Sequence, residues 1–372
     1  MAGQIDSTRP FNSLVISIFA LFSFAGFYFM RIESAIHGVP INFEKICTEG
    51  RWEDGTLIKQ TYTGIKAVDF LFTWLVPAFL TGPAGWDEGI RLQQIHFLVN
   101  FFAVLSIINI EAVRQRNNGR IISYTAIWAV LYQTVAGAAI VPLYHLAFTL
   151  ASKKKTYLSS GREVSLGYAK SLLPALAVGY LVPTIAMYLP WGDLNITQNL
   201  TALWQPAPAF PNLLLLVLAP VLASSSRSSS RTSDVKHLKR IYVAAGIVST
   251  FTQWATLYLF FTSTNPKLSF KYVFVPNKNI WKENTALGLH YIFLWDFWII
   301  YASSLVWCWV VVVDYLRYVR GKVTPIQMLL AAVNIVGVAL VAGPGTAMAL
   351  VWNKRENLLV EIETGDRKKK AA

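Results

Sequence analysis

The sequence predicts an all-α fold: a polytopic transmembrane bundle of about eight to nine spanning helices, forming a single domain over residues 1–372. Two observations predict it. Of the 372 residues, 54% are hydrophobic and only 14% are charged, where soluble proteins carry about 25% charged residues. Apolar runs close to the ~20 residues needed to span a bilayer then recur along the whole chain. Basic residues sit in the short loops between those runs, as the positive-inside pattern requires.

The first run, 11–30, is flanked by Arg9 and Arg31 and has no small-residue cleavage site after it. It reads as a retained helix and not as a removed signal peptide. Runs at 65–83, 92–112, 121–150 and 168–190 follow, then 207–224, which is short and broken by proline. Runs at 241–263, 290–315 and 326–352 complete the set of nine, and 353–372 reads as a basic C-terminal tail. No repeat at a fixed period is present, and the Ser/Arg run at 224–233 reads as a flexible loop.

The expected topology contains a conflict. The 191–206 stretch, WGDLNITQNLTALWQP, has no Lys or Arg and carries two sequons, at Asn195 and Asn199, so it reads as a lumenal, glycosylated loop. The loops SKKKTYLSSGR and SRSSSRTSDVKHLKR on either side read as cytosolic, as does RYVRGK. Nine spans then place the N-terminus in the cytosol and the C-terminus in the lumen. Yet Lys369 and Lys370 form a dilysine-type ending that resembles an endoplasmic-reticulum retrieval signal, which is read from the cytosol. Either one segment is miscounted or the ending is only a basic tail.

Composition excludes several classes. Cys47 and Cys308 are the only cysteines and imply no disulfide framework. There is no CxxC or HExxH, and the five histidines are scattered, so no metal site or cofactor is expected. The net charge of +13 lies in loops between apolar runs, which points to the bilayer as partner and not to nucleic acid. The loops are too short for a soluble catalytic domain, so any chemistry belongs within the bundle or at its mouth.

Polar residues inside the runs are therefore the candidates. Glu111 lies just inside the end of its run, with Arg114 at i+3 and Arg116 behind it. A snorkelling ion pair is one reading; a carboxylate turned inward, anchored by Arg114 at the mouth of a lipophilic cavity, is the other. Asp69 can pair with Lys66. Gln133 can bridge helices, His145 can be a satisfied buried histidine, and Asp314 can pair with Arg317 or Arg320. Asp296, in HYIFLWDFWIIY, has no basic residue within a helical turn, and its neighbours include Trp295 and Trp298. Desolvation disfavours the charged form of a carboxyl group, which suits a general acid. Aromatic faces beside it attract a carbocation. The competing reading is a buried Asp bonded to another helix. Together these features suggest acid-initiated chemistry on a lipophilic olefin or epoxide.

The stretch LQQIHFLVNFFAVLSIINIEAVRQRNNG, followed by YQTVAGAAIVPLYHLAF, resembles the fungal integral-membrane terpene cyclases of the ascochlorin, ascofuranone and macrophorin pathways. Gln93, Glu111, Arg114, the Asn117/Gly119 loop, Gln133 and Pro142-Leu143-Tyr144 carry the likeness, over roughly residues 65–150. It implies a metal-independent cyclase of isomerase or intramolecular-lyase type in meroterpenoid biosynthesis. Such an enzyme cyclises a farnesyl chain already attached to an aromatic or quinone-like head, by protonating a terminal epoxide or alkene. It also implies a lipophilic prenylated substrate, a place beside other enzymes of the same pathway, and a shared site or frame that includes Glu111, Arg114, Gln133 and Tyr144. On the residues themselves Asp296 is the expected acid, with Glu111 its rival. His145, Asp69, Trp295 and Trp298 complete the candidate substrate contacts.

Two readings from other classes compete. A transporter of a secondary metabolite would use Asp69, Glu111 and Asp296 as a proton relay. An intramembrane prenyltransferase would need paired Asp-rich motifs for magnesium and diphosphate, and none is present.

Overall fold

The computed structural model describes residues 8–224 and 230–365; Lys369, Lys370 and part of the Ser/Arg run lie outside them. The described residues are helical, with only isolated bridges between extended residues. In chain order the helices are α1 (Asn12–His37), α2 (Phe43–Glu49), α3 (Lys66–Leu80), α4 (Glu88–Ala112), α5 (Thr125–Thr134), α6 (Gly137–Ala151) and α7 (Leu166–Met187). They continue with α8 (Leu194–Trp204), α9 (Phe210–Ser224), α10 (Val235–Thr262), α11 (Phe270–Phe274), α12 (Thr285–Arg320), α13 (Pro325–Ala342) and α14 (Pro344–Thr364).

Six of these, α1, α4, α7, α10, α12 and α13, are long and apolar enough to cross a membrane. α4 is apolar on every side because it is the central helix: 89% of its apolar window is buried. α1, α10 and α13 lie outside it and turn Leu21, Phe24, Ile247, Phe251, Leu329 and Leu340 outward. One hydrophobic cluster runs from Val15 to Trp352 through the bundle. Helix starts follow local chemistry: Asp87 accepts from the Ile90 N–H at 2.9 Å, Asn284 accepts from the Leu287 N–H at 2.9 Å, and Thr324 and Gln327 form a capping box.

The nine expected runs do not become nine unbroken helices. The run 121–150 breaks at Val135–Ala136 into α5 and α6, and both ends of the segment lie together, because the Arg120 guanidinium donates to the Ala151 carbonyl at 3.2 Å. It is a helical hairpin. The run 326–352 breaks at Gly343, where α13 turns back into α14. Gly343 has φ 90° and leaves no room for a Cβ, which would lie 2.5 Å from Ser249 Oγ. Its neighbour Asn100 is twelve residues from either end of α4, so this second hairpin turns at mid-bundle. Residues 353–364 are accordingly not a tail: they continue α14, and Arg355 and Glu356 on it are buried. The 191–206 loop is also corrected, since most of it is α8, which together with the short α9 makes one passage. Asn195 and Asn199 are exposed on α8, whereas their sequon partners Thr197 and Thr201 are buried.

Within the bundle the chain passes from end to end in α1, α4, α7, α8–α9, α10 and α12, so the first and last described helices begin and end on the same side, while the dilysine-type ending lies outside the described residues. On that side Arg9 donates to Asp314 at 2.9 Å, Arg114 pairs with Glu356, and Arg162 pairs with Glu363. This basic end holds the loops 113–120, 152–165 and 230–234. The opposite end holds loops 38–65, 81–87 and 263–284, where Lys59 rests on Gln198 and Lys267 on Asp87.

Candidate active site

The tip of the α5–α6 hairpin reaches the centre of the bundle with unsatisfied peptide groups on both sides of its break. A guanidinium group and a carboxyl group meet them. Arg31 of α1 donates through Nε to the Val135 carbonyl at 2.8 Å and through Nη2 to the Thr134 carbonyl at 3.1 Å. Asp296 of α12 accepts from the Ala138 N–H at 2.5 Å through Oδ1. A cation at the C-terminus of α5 and a carboxyl group at the N-terminus of α6 both match the helix dipoles. Gly137 permits this approach, because a Cβ there would lie 3.0 Å from Asp296 Oδ1 and 2.8 Å from Ile300 Cδ1. Asp296 Oδ2 accepts no hydrogen bond from the described residues.

Asp296 lines a cavity of about 500 Å³, within the range of small-molecule sites. The wall is aromatic and comes from separate helices: Phe79 from α3, Phe97 and Phe101 from α4, Tyr132 from α5, Tyr180 from α7 and Phe293 from α12. Ring pairs lock it: Phe79–Phe293 at 4.6 Å, Phe101–Tyr132 at 5.5 Å and Phe101–Tyr180 at 6.2 Å. Tyr180 is tied by donating to the Leu98 carbonyl at 2.8 Å. The polar lining is sparse: Arg31, Ser34, Gln133 and Asp296. Gln133 is held by donating to Gln205 Oε1 at 2.9 Å. Asp296 lies eleven residues into α12 from Thr285, about 16 Å along the axis. Towards that end the cavity runs into an open hollow of about 670 Å³ and shares Ser34, Ala35, Val39, Pro40, Phe43 and Trp74 with it.

A second cluster occupies the basic end. Glu111 accepts from Arg114 Nε at 2.8 Å and from Arg355 Nη1 at 2.7 Å, and lies 3.7 Å from Arg116 Nη2. Arg114 also pairs with Glu356, and Arg162 pairs with Glu356, Asp234 and Glu363. Four carboxylates thus meet four guanidinium groups, and Glu111 and Arg114 are fully buried. Burial pushes the Arg116 guanidinium down to about 10, and its plane rests over the Tyr157 ring at 4.3 Å. The arrangement ties the end of α4 to α14 and to the loop before α7. Glu111 is ten residues beyond the cavity-lining Phe101, about 15 Å along α4.

A family model described as the CtvD domain matches residues 14–360. The chain belongs to the CtvD-domain family. Two relatives in sequence are terpene cyclases: ascI of Acremonium egyptiacum, 26% identical over 83% of each chain, and ctvD of Aspergillus terreus, 25% identical over 73% of this chain and 79% of that one. A third is the FAD-dependent monooxygenase verC1 of Penicillium polonicum, 23% identical over 72% of this chain but only 32% of that protein. No solved structure matches. The resemblance carried by residues 92–148 therefore points to the right family.

In this CtvD-domain chain, Gln133 and Asp296 meet in the cavity, and the remaining expected site residues lie elsewhere. Glu111 does turn inward and does hold Arg114, but in the ion cluster and not at the cavity mouth. Tyr144 and His145 are fully buried in an aromatic cluster, with His145 stacked on Trp307 at 4.6 Å and Trp128 packed edge-on to Tyr144. Asp69 turns back on its own loop, accepting from the N–H groups of Tyr62, Thr63 and Gly64 at 2.7–3.0 Å and from Thr63 Oγ1 at 2.9 Å. It does not pair with Lys66. Trp295 stacks on Phe29 at 3.8 Å, and Trp298 donates to the Phe274 carbonyl at 2.6 Å. Neither indole lines the cavity, because residues one and two positions from Asp296 occupy other faces of α12. Asp69, Glu111 and Asp296 each hold separate partners. Sequence reasoning missed Arg31 as a site residue, although it had marked the end of the first apolar run, and missed Arg355 by assigning it to a tail.

Proposed function

We propose that this protein is a membrane-bound terpene cyclase of meroterpenoid biosynthesis, working on a lipophilic farnesylated aromatic or quinone-like intermediate. One observation carries the reading: a carboxyl group with one oxygen held by the Ala138 N–H and the other facing an aromatic cavity about 16 Å inside the bundle. Asp296 donates its proton to the oxygen of a terminal epoxide. The C–O bond opens, the neighbouring alkene supplies the electrons of the new C–C bond, and positive charge moves along the chain. Loss of a proton from carbon ends the sequence, so the product is an isomer of the substrate. The faces of Phe79, Phe97, Phe101 and Phe293 stabilise the passing charge, and their apolar surface keeps out water that would quench it.

The names of the two cyclase relatives support the activity, and the outward apolar faces of α1, α10 and α13 support a membrane setting. The monooxygenase relative, which contains a similar stretch as about a third of its length, is compatible with an oxygenated chain such as an epoxide as trigger, because a monooxygenase adds one oxygen atom to its substrate. It also fits a working partnership with such an enzyme. The endoplasmic reticulum is the proposed compartment.

The test is turnover in microsomes. Wild type is expected to convert a farnesylated phenol with a terminal epoxide into an isomer of unchanged mass. Asp296→Asn keeps an oxygen for the Ala138 N–H and is expected to lose about 10²-fold or more in rate at equal protein level. Full activity of that variant moves the acid elsewhere. Inert wild-type membranes across several head groups reject the cyclase reading.

A further inference from the structure

The cavity at Asp296 and the hollow outside it differ in chemistry. The inner space is walled by aromatic rings. The outer one adds Asn42, Glu44, Lys45 and Thr48 from α2 and the loop before it. Only two aromatic residues line both, Phe43 and Trp74, and they meet edge to face at 6.0 Å where the spaces join. The outer wall is held in place by defined bonds. Glu53 accepts from Asn42 Nδ2 at 3.2 Å and from the Thr285 N–H at 3.1 Å, the Thr285 hydroxyl lies 2.7 Å from both the Ile41 carbonyl and Glu53 Oε1, and Pro40 packs against Gly288. The hollow is therefore built onto the first turn of the same helix that carries Asp296 eleven residues further on.

We infer that the substrate binds tail first, with the end of its prenyl chain at Asp296 and its aromatic head in the outer hollow, and that the Phe43–Trp74 pair is the neck that sorts head groups. This rests on the cyclase reading. The physical reason is partition: an apolar isoprenoid gains by entering the aromatic cavity, whereas a hydroxylated ring loses its hydrogen bonds there and keeps them among Asn42, Glu44, Lys45 and Thr48. The single carboxyl group lies at the inner end, where only the chain terminus arrives. Trp74 and Phe43 offer faces on which a flat ring stacks. Head-group specificity then belongs to residues 34–48 and Trp74, and the identity of the protonated group belongs to the hairpin tip.

The experiment uses two photoreactive farnesylated phenols, one with a diazirine on the ring and one with it at the chain terminus, on membranes carrying the full-length protein. Turnover of the unmodified substrate by the same membranes tests the cyclase reading separately. The ring probe is expected to label peptides within 34–48 and around Trp74, and the chain probe those within 97–101 and 133–137. Turnover with the reverse pattern overturns the orientation and leaves the cyclase reading standing. No turnover and no labelling overturn both. In parallel, Trp74→Ala is expected to change the kcat/KM ratio between a one-ring and a two-ring head by about tenfold or more. The preference for epoxide over alkene at the chain terminus is expected to stay, and Trp74→Phe to restore most head discrimination. An unchanged head ratio, or an equal shift in both preferences, overturns the assignment of the neck.

Discussion

Replacing Glu111 with alanine separates a catalytic carboxylate from a structural one. Glu111 accepts from Arg114 and Arg355 at 2.7–2.8 Å and lies 3.7 Å from Arg116. In the alanine variant Arg114 keeps Glu356, but Arg355, only 4% exposed, loses its carboxylate partner. Breaking a buried pair by removing one member costs about 3–5 kcal/mol, because a charge remains buried and uncompensated. That is a change of more than about a hundredfold in the folded-to-unfolded ratio. The assay is thermal unfolding of detergent-solubilised protein, together with turnover per folded molecule. The expected result is a clear drop in unfolding temperature and in membrane-integrated protein, with turnover per folded molecule retained. Adding Arg355→Met removes the orphaned charge, so the double variant is expected to be more stable than the sum of the singles. A Glu111→Ala protein that unfolds at the wild-type temperature and has lost turnover would refute the reasoning and return Glu111 to the chemistry.

Gly137→Ala places a Cβ 2.8 Å from Ile300 Cδ1 and 3.0 Å from Asp296 Oδ1, so turnover is expected to fall at least about tenfold in folded protein; unchanged turnover removes the tip from the mechanism. Asp69→Ala removes the acceptor for three N–H groups and a hydroxyl, and is expected to cost about 1–3 kcal/mol in thermal unfolding while the surviving folded protein keeps its rate. Trp298→Ala alters an indole that is 40% exposed and faces away from the cavity, so isomer formation is expected to stay within about twofold of wild type.

Two residues of the candidate site are legible locally. Asp296 stood out because no basic residue lay within a turn of it, and Gln133 because it interrupted an apolar run; both line the cavity. What failed was inference along the chain. Trp295 and Trp298 adjoin Asp296 in sequence, but a helix turns 3.6 residues per turn, and they face Phe29 and Phe274. Asp69 has Lys66 three residues before it in the sequence, yet three backbone N–H groups of its own loop claim it. Tyr144 and His145, close to Gln133 in sequence, run down α6 away from the tip into the Trp307 cluster.

By itself the sequence determined that the chain is helical and apolar and that Glu111 lies within reach of Arg114. These properties depend on composition and on neighbours within one turn. Only the tertiary structure decided which apolar runs continue along the bundle and which turn back at Val135–Ala136 and Gly343, since hydropathy reports burial and not the path of the chain. It also decided that Arg355 meets Glu111 across 244 residues, and that Asp296 caps a hairpin tip 158 residues before it while rings from several other helices complete the aromatic wall. Such contacts are chosen by which faces pack against each other, and that choice is made by the whole bundle at once.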